Sequence, residues 1–288
     1  MLLQFDNVTK IYKSSTTKAL DNFSTEIRSG EVVGLIGKNG SGKTTLMNCL
    51  TNNIHLTSGK ILYKGKNLME NINEISEFGV LIESSFVDYL NAYQNLELLL
   101  IAEGLSNKEE IKEEIERVLN LVGLLNRKHD YVKSYSFGMK QRLGLAQALL
   151  RDKRVLILDE PLVGLDVIGR NLVKNLIVDL AKKEGKAIIF SDHNLSEVKD
   201  VCDRIIYIEN GVKVFDDVFD DNKRYIVEID ERSQIFESEN YQRTEDNFIV
   251  VKQKEQLNEV ITQIVQQGIP IVDIKVNESS LMELFKGE

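Results

Sequence analysis

The chain has 288 residues and a formal net charge of −9 at pH 7. Its apolar share of 42% predicts a packed core, in one sizeable domain or in one domain with a smaller addition. The acidic balance argues against a nucleic-acid binder, and no segment approaches the ~20 apolar residues that a membrane helix needs.

Two strands are predicted before the turn at Arg28–Gly30. The first, in LLQFDNVTKIY, is partly alternating and lacks the features of a signal peptide, and the second, in ALDNFSTEI, follows a polar loop. After the turn, EVVGLIG is a continuous apolar run. Such a run is typical of a strand that is covered on both faces of a parallel sheet.

The next segment has the pattern of a phosphate-binding loop. Gly37 is followed by four residues and then by Gly42, Lys43 and Thr44, with a strand before the loop and a helix after it. Glycines let successive N–H groups point at phosphates, and the helix adds its positive N-terminal end. Lys43 is predicted to reach the β and γ phosphates and the Thr44 hydroxyl to bind Mg²⁺. The predicted nucleotide-binding set here is Gly37, Lys38, Asn39, Gly40, Ser41, Gly42, Lys43, Thr44 and Thr45.

Residues 84–150 are predicted to form a mainly helical subdomain. SNKEEIKEEIERVLNLVGLL opens with Ser106 and Glu109, which fit a capping box. An apolar stripe with helical spacing follows, and we expect its charged remainder to face solvent: Ile111, Ile115, Val118, Leu119 and Val122. The subdomain ends in SYSFGMKQRLGLAQALLR, where a serine and a glycine precede a helix, like a second and poorer phosphate loop.

Strands return after residue 150, and their ends carry candidate catalytic residues. RVLILDE predicts a buried strand that leads to Asp159 and Glu160, and KAIIFSDH predicts a strand that ends in His193. Alternating strands and helices predict a mainly parallel sheet, whose carboxyl ends meet at one edge. There Asp159 suits a water-mediated contact to Mg²⁺, Glu160 a base for water, and His193 a donor to the γ-phosphate. The alternatives are an acidic pair that only ends a strand and an ordinary histidine.

The remaining signals of this region are structural. Asn210-Gly211 predicts a hairpin between two strand runs in RIIYIENGVKVFDD. Cys49 and Cys202 have no His or Cys at ligand spacing, so we expect reduced, buried thiols. His55 and His129 are expected to be ordinary surface residues.

A small α+β domain is predicted over residues 219–288. KRYIVEID, NFIVVK and IVDIKV predict strands. KEQLNEVITQIVQQGIP predicts a helix that stops at Gly268 and Pro270, with Leu257, Val260, Ile261, Ile264 and Val265 on one face. SSLMELFKG predicts a short closing helix with a capping box at Ser280 and Glu283. The sequence of this region shows no cluster of residues of the types used in catalysis.

The order of these motifs resembles the nucleotide-binding subunit of ABC transporters. A P-loop is followed by a Ser-x-Gly turn that opens a helix, by LILDEP, by GLD and by a strand ending in His. YSFGM, at Tyr135–Met139, stands where the family has Leu-Ser-Gly-Gly-Gln. The resemblance implies an α/β P-loop NTPase fold of the ABC ATPase type, with a mainly parallel core sheet, N-terminal antiparallel strands, a helical subdomain and the α+β appendage. We therefore predict an ATP-binding domain over residues 1–218 and an accessory domain over residues 219–288.

The resemblance also accounts for the second loop. In the family, this signature turn caps the γ-phosphate of an ATP that the P-loop of a second copy holds. Ser136, Gly138 and the positive start of the helix make a donor-rich surface, and two head-to-tail copies close both sites at once. By the same resemblance, Tyr12 stacks on adenine, unless it is a strand-surface tyrosine. Asp166 is expected in a loop that reaches toward the partner's P-loop.

Two positions depart from the family pattern. Phe137 replaces the first signature glycine, which removes the freedom to adopt a positive φ and adds bulk next to the partner's nucleotide, so that Gly138 must supply the close approach. Glu83 stands where most members have Gln, in a loop that touches Mg²⁺ and faces the membrane subunit. An ionised Glu only accepts hydrogen bonds, and its charge predicts firmer metal binding. A solvent-facing Glu83 is the alternative.

VLIESSFVDYLNAYQNLELL, SFGMKQRLGLAQALL and a tail ending SLMELF are similar to the subfamily that protects bacteria from lantibiotics and bacitracin. The resemblance implies an ATPase that powers export of such a peptide, as a paired subunit on the inner face of the cell membrane. A separate permease is expected to contact Glu83–Tyr93, and no nucleic-acid partner is expected. The implied catalytic residues are Lys43, Glu160 and His193, and the implied metal ligands are Thr44, Glu83 and Asp159.

Other functions stay as alternatives. A soluble ABC ATPase that acts on ribosomes or DNA usually has two modules or long coiled coils, and this chain has one module and no sustained heptads. A P-loop kinase would have no use for the signature turn, and a GTPase would usually show Asn-Lys-x-Asp. An exporter of another lipid or drug would carry the same motifs.

Overall fold

The computed structural model describes residues 1–13, 15–82, 84–218, 224–229, 241–243, 248–251, 254–266 and 269–277. The chain divides into two compact units, Met1–Phe219 and Asp220–Glu288. Among the described residues, no helix is both long enough and apolar enough to cross a membrane. Three sequence predictions, for Glu83, for Gly268 and for the closing helix with Ser280 and Glu283, lie outside the described residues.

The first unit is built from β-strands and α-helices. Its strands are β1 (Leu3–Ile11), β2 (Lys18–Ile27), β3 (Val32–Ile36), β4 (Ser58–Tyr63), β5 (Lys66–Asn67), β6 (Phe78–Leu81), β7 (Val155–Leu158), β8 (Ala187–Ser191), β9 (Arg204–Glu209) and β10 (Val212–Val218). Its α-helices are α1 (Lys43–Leu50), α2 (Ala92–Ala102), α3 (Lys108–Leu121), α4 (Phe137–Ala148), α5 (Val167–Lys182) and α6 (Leu195–Lys199).

Two sheets make up this unit. An antiparallel sheet has the order β2-β1-β4-β5, and a larger sheet has the order β10-β9-β3-β8-β7-β6. In the larger sheet β9, β3, β8, β7 and β6 run parallel, and β10 joins β9 as an antiparallel edge strand. The central strands β3, β7 and β8 are buried along their whole length, as their continuous apolar runs predict. The predicted α/β fold is confirmed.

One hydrophobic core joins the two sheets. Phe5 and Phe23 of the antiparallel sheet meet edge to face, with ring centroids 5.7 Å apart. They share a buried cluster with Val33, Leu35 and Ile157 of the larger sheet. The core also contains Cys49, a free thiol whose pKa burial raises to about 11. The strand β3, which precedes the P-loop, therefore packs closely against apolar side chains of the antiparallel sheet.

The helical segment follows its predicted pattern, with one correction. The apolar stripe of α3 is buried, as its spacing predicts: Ile111, Ile115, Val118, Leu119 and Val122. The predicted cap at Ser106 is wrong, because the side chain of Asn107 caps the helix and accepts the N–H groups of Glu109 and Glu110 at 3.0 and 3.4 Å. Asn and Ser are both good N-caps, so adjacent candidates compete and packing selects one.

In its described residues, the second unit is a small antiparallel sheet with one helix. Its elements are β11 (Arg224–Ile229), β12 (Tyr241–Arg243), β13 (Phe248–Val251), α7 (Lys254–Gln266) and β14 (Ile271–Asn277), with strand order β12-β13-β11-β14. Val260 and Ile264 of α7 pack on apolar residues of β11 and β13. Val265, which the spacing places on the same apolar face, is 60% exposed. The strand β12 was not predicted.

A charged side chain ties three strands of the first unit together. Arg204, on β9, donates to Glu31 at 2.7 Å and also to Asp216 on β10 and to the Glu26 carbonyl at the end of β2. Burial raises the pKa of Asp216, but hydrogen bonds from Lys213 and Thr25 and the charge of Arg204 outweigh it and hold that pKa below its usual range. These side chains are about 15% exposed, so the pairs are mostly shielded from water.

We expect Arg204→Leu to lower the free energy of unfolding at pH 7 by about 3 kcal/mol, because it removes the guanidinium from two mostly buried carboxylates and leaves Asp216 with only Lys213 as its cation. A carboxyl with a depressed folded-state pKa stabilises the fold above its unfolded pKa and stops doing so as pH falls through the folded value. The wild type and Arg204→Leu should therefore differ less in urea unfolding at pH 3.5 than at pH 7.

The matched control is Arg154→Leu, since the Arg154 side chain is 70% exposed and lies 3.6 Å from Glu77. This variant should change stability by no more than about 0.5 kcal/mol. Equal effects of the two substitutions, or a pH-independent Arg204 effect, would contradict the ion-pair account.

Candidate functional site

The site begins where β3 passes into α1 through the glycine-rich loop. Gly42 caps the helix with a φ of 114°, a backbone conformation that side chains with a Cβ rarely adopt. The loop is supported by the predicted hairpin turn between β9 and β10, because Gly211 donates its N–H to the Ser41 carbonyl at 2.8 Å. The hairpin turn that Asn210-Gly211 predicts therefore also supports the phosphate loop.

Lys43 lies inside the loop. It is 6% exposed, and its Nζ donates to the carbonyls of Gly37 and Lys38 at 2.6 and 3.2 Å. Burial lowers the pKa of Lys43, and the negative charges of Asp159 and Glu160 oppose that shift. A polyphosphate would add negative charge at this position and so stabilise the ammonium form.

A cavity of about 390 Å³ opens in front of the loop. Beside it, the Ser41 hydroxyl is buried and has no hydrogen-bond partner in the described part of the chain. A buried ammonium, an unpaired hydroxyl and closely packed glycines fit a phosphate-bearing ligand. The lining residues are Ala19, Asn39, Gly40, Gly42, Lys43, Thr44, Thr45, Ile82, Asp159 and Glu160.

Tyr12 does not line this cavity but contacts Thr45, which does. Its hydroxyl is 3.2 Å from Oγ1 of Thr45, and its side chain is partly exposed. The ring is therefore close to the P-loop helix, and its stacking on adenine stays a prediction.

Two hydroxyl groups donate hydrogen bonds to the Asp159 carboxylate, which follows the end of β7. The Thr44 hydroxyl donates to Oδ2 of Asp159 at 2.9 Å, and the Ser191 hydroxyl donates to the other carboxylate oxygen. Mg²⁺ prefers oxygen ligands of this kind, so Thr44 and Asp159 fit the predicted metal site. The third predicted ligand, Glu83, lies outside the described residues.

Glu160 has a constrained backbone. Its φ of 48° lies in the left-handed region, which is uncommon for residues other than glycine. The Ser191 hydroxyl accepts its N–H at 2.9 Å, and Gln141 of α4 donates to its carbonyl at 3.0 Å. Its Oε1 lies 3.6 Å from Nδ1 of His193. The structure thus brings Glu160 and His193 together, although β8 ends at Ser191 and His193 is two residues beyond it.

Sequence analysis missed polar residues that support this pair. Ser191 is fully buried and bonds to both acidic residues, and Asp192 is 3% exposed. Burial raises the pKa of Asp192, although the Asn194 N–H, which it accepts at 2.8 Å, acts in the opposite direction. The available signal was the run Ser-Asp-His directly after a buried strand, because three polar residues there share the edge with the phosphate loop.

The signature turn opens α4. Ser136 caps α4 by accepting the Met139 N–H at 3.2 Å. Phe137 is the first residue of that helix and has no positive φ, so its backbone suits a residue with a Cβ. Ser136, Phe137 and Gly138 are not among the residues that line the cavity. The turn is therefore not part of the cavity of its own chain.

Asp166 caps the next helix. Its carboxylate accepts the Gly169 N–H at 2.8 Å at the start of α5. This contact orders the loop between Glu160 and α5, and a contact of Asp166 with a second copy stays a prediction.

Comparison with known proteins agrees with this geometry. Residues 20–163 match the ABC transporter family model. The chain is 33% identical over 302 residues to the bacitracin transport ATP-binding protein BcrA of Bacillus licheniformis, over 99% of this chain and 96% of that protein. It is 37% identical over 220 residues to the lantibiotic transport ATP-binding protein SrtF of Streptococcus pyogenes, over 76% and 92%.

The fold is also that of solved ABC cassettes. The dimeric post-hydrolysis structure of the ATP-binding cassette MJ0796, bound to ADP and phosphate, matches with a TM-score of 0.70 at 25% identity, over 75% of this chain and 98% of that one. The predicted P-loop NTPase fold of the ABC type is therefore confirmed. From motif order, site geometry and these relatives together, the chain belongs to the ATP-binding subunits of ABC transporters and is an ATPase.

Proposed function

We propose that two copies of this chain bind MgATP head to tail and that its hydrolysis drives export through a separate transmembrane permease. The proposal is carried by the separation of two phosphate-binding features within one chain. Lys43 lines the cavity, whereas Ser136 is exposed at the start of α4 and does not contribute to it. A helix start offers unpaired N–H groups and a positive end to an anion. Two-fold symmetry can supply that anion from a second copy.

In this assembly each residue has a defined task. Glu160 polarises a water molecule in line with the γ-phosphate. Lys43, His193 and the signature residues of the second copy stabilise the charge that develops. Thr44, Asp159 and Glu83 would hold Mg²⁺, which would supply positive charge to neutralise part of the phosphate charge. Tyr12 stacks on the base.

The proposed substrate is a peptide antibiotic of the bacitracin or lantibiotic type. The support comes from relatives that are named for transport of these compounds. The match to the bacitracin protein runs over 99% of the chain and so includes the second unit, whereas the lantibiotic match covers 76%. We therefore favour a bacitracin-like peptide, with another lipid or drug as the alternative.

The proposed permease contact is the segment Glu83–Tyr93, which would hold the chain at the inner face of the membrane. Tyr89 in this segment is 75% exposed. Its neighbour Asp88 pairs with Lys140 of α4 at 2.8 Å, and the buried Asn95 accepts the Val87 N–H at 2.9 Å. The segment thus contacts the helix that Ser136 caps, and this contact would link permease movement to the signature turn.

We expect Glu160→Gln to lower the ATPase kcat about 10²- to 10⁴-fold, because Gln keeps the shape but cannot act as the base. The variant should also accumulate as a dimer in MgATP, since the bound phosphate is not removed. Phosphate release and light scattering measure the two effects. Glu184→Gln, at a surface-exposed side chain, is the control and should behave like the wild type. A Glu160→Gln variant that stays monomeric when saturated with MgATP, with and without its permease, would refute the head-to-tail proposal.

We expect Ser191→Ala to lower kcat about tenfold with little change in KM for ATP. The substitution removes the hydrogen bonds that position Asp159 and Glu160, but it leaves the P-loop intact. It should also cost about 1–3 kcal/mol of stability, since the buried Glu160 N–H loses its acceptor. Steady-state kinetics and urea unfolding provide the measurements. Ser76→Ala, at an exposed serine, should leave both unchanged. A raised KM with normal kcat would contradict the assigned role.

We expect deletion of the gene to make the cell more sensitive to bacitracin-like peptides. A plasmid with the wild-type gene should restore resistance, and one with Glu160→Gln should not, because transport requires hydrolysis. Minimum inhibitory concentrations of bacitracin, a lantibiotic and an unrelated hydrophobic drug make the comparison. Altered sensitivity to the drug alone would reject the peptide substrate but not the transporter.

A further inference from the structure

The first turn of α4 lies directly against the loop that precedes α5. A Cβ built on Gly164 would collide with Cδ1 and Cε1 of the Phe137 ring and would be 3.3 Å from its Cγ. A Cβ built on Gly138 would be 2.8 Å from the Gly164 carbonyl oxygen. Gln141, one turn later, donates to the Glu160 carbonyl at 3.0 Å. The signature helix therefore contacts both ends of the segment 160–164.

The Phe137 ring has two different surroundings. One edge packs over Gly164, whose φ of 73° and lack of a side chain leave room for it. The side chain is nevertheless 64% exposed, which is high for a large aromatic residue. A glycine at position 137, the residue usual in the family, would make no ring contact with Gly164. The contact is therefore a consequence of this chain's departure from the family pattern.

We propose that Phe137 is a positioning residue that couples the signature turn to the 160–166 loop of the same chain. The inference rests on the proposed head-to-tail dimer. In that dimer Ser136 contacts the nucleotide of the second copy, whereas Glu160 acts on the nucleotide of its own copy. A ring fixed between the two makes them move together, so that each site responds to the nucleotide in the other.

The first test replaces the ring. We expect Phe137→Ala to raise the ATP concentration for half-maximal hydrolysis about fivefold and to reduce the cooperativity of the ATP titration, because the turn is less well positioned. Phe137→Leu should have an ATP dependence and a cooperativity close to those of the wild type, since it keeps an apolar side chain against Gly164. MgADP affinity of the monomer and the melting temperature should be unchanged. Ile72→Ala, at a 57% exposed apolar residue far from these motifs in sequence, is the matched control.

The second test asks whether the ring acts through Gly164. In Gly164→Ala, the added methyl group collides with the Phe137 ring and the backbone is also strained. Adding Phe137→Ala removes the ring and therefore removes the collision, although the backbone strain stays. The double variant should therefore be at least about threefold less impaired than the product of the two single effects. A ring that acts only on the second copy would make the two effects multiply, and that result would overturn the proposal.

The outcomes separate this proposal from the function on which it rests. If Glu160→Gln never dimerises in MgATP, the dimer itself is refuted. If Glu160→Gln and the double variant Glu160→Gln/Phe137→Ala dimerise with the same ATP dependence, the dimer is supported and the coupling role of Phe137 is refuted.

Discussion

The carboxyl ends of three parallel strands meet at one edge of the central sheet, and the candidate site is built on that edge. The strand β3 leads into the phosphate loop, β7 leads to Asp159 and Glu160, and β8 leads to Ser191 and His193. The order β3-β8-β7 puts Ser191 between the other two strand ends, where it bonds to both acidic residues. Because these groups lie on one edge of the sheet, a nucleotide held there as proposed would have its opposite side open to another surface. The exposed start of α4 has the chemistry for that surface.

Strain and burial at this edge are offset by nearby hydrogen bonds. Glu160 keeps a left-handed backbone because Ser191 and Gln141 hold its N–H and carbonyl. Lys43 is buried among carboxylates, and its position suits a site that receives a polyanion. Gln141 belongs to the signature helix, so the carbonyl of the proposed base is held by the same helix that is proposed to present Ser136 to a second copy. The proposed binding surface and the proposed catalytic residue are thus joined by a hydrogen bond within the fold.

The sequence predicted the parts of this site whose chemistry is local. The P-loop spacing requires glycines at fixed positions, and continuous apolar runs identify β3, β7 and β8, so the residues at their ends could be assigned to one edge. It did not predict contacts that depend on distant segments. Ser191 and Asp192 were overlooked because a polar residue after a strand has no role until its neighbours are known, and the Phe137–Gly164 contact joins segments 27 residues apart. The cap at Asn107 and the exposure of Val265 were decided by packing, and strands β4, β5, β6 and β12 carry weak local signals.

The central claim is that each nucleotide site is completed by a second copy. Chemical cross-linking can test it with two variants in the Glu160→Gln background, one carrying Asn39→Cys in the P-loop and the other carrying Ser136→Cys in the signature turn. Native Cys49 is buried, and burial raises its thiol pKa to about 11, so it should react slowly. With a short bis-maleimide and MgATP, the account predicts cross-linked dimers in a mixture of the two variants and not in either variant alone. Cross-links within a single variant, or none in the mixture with MgATP present, would contradict it.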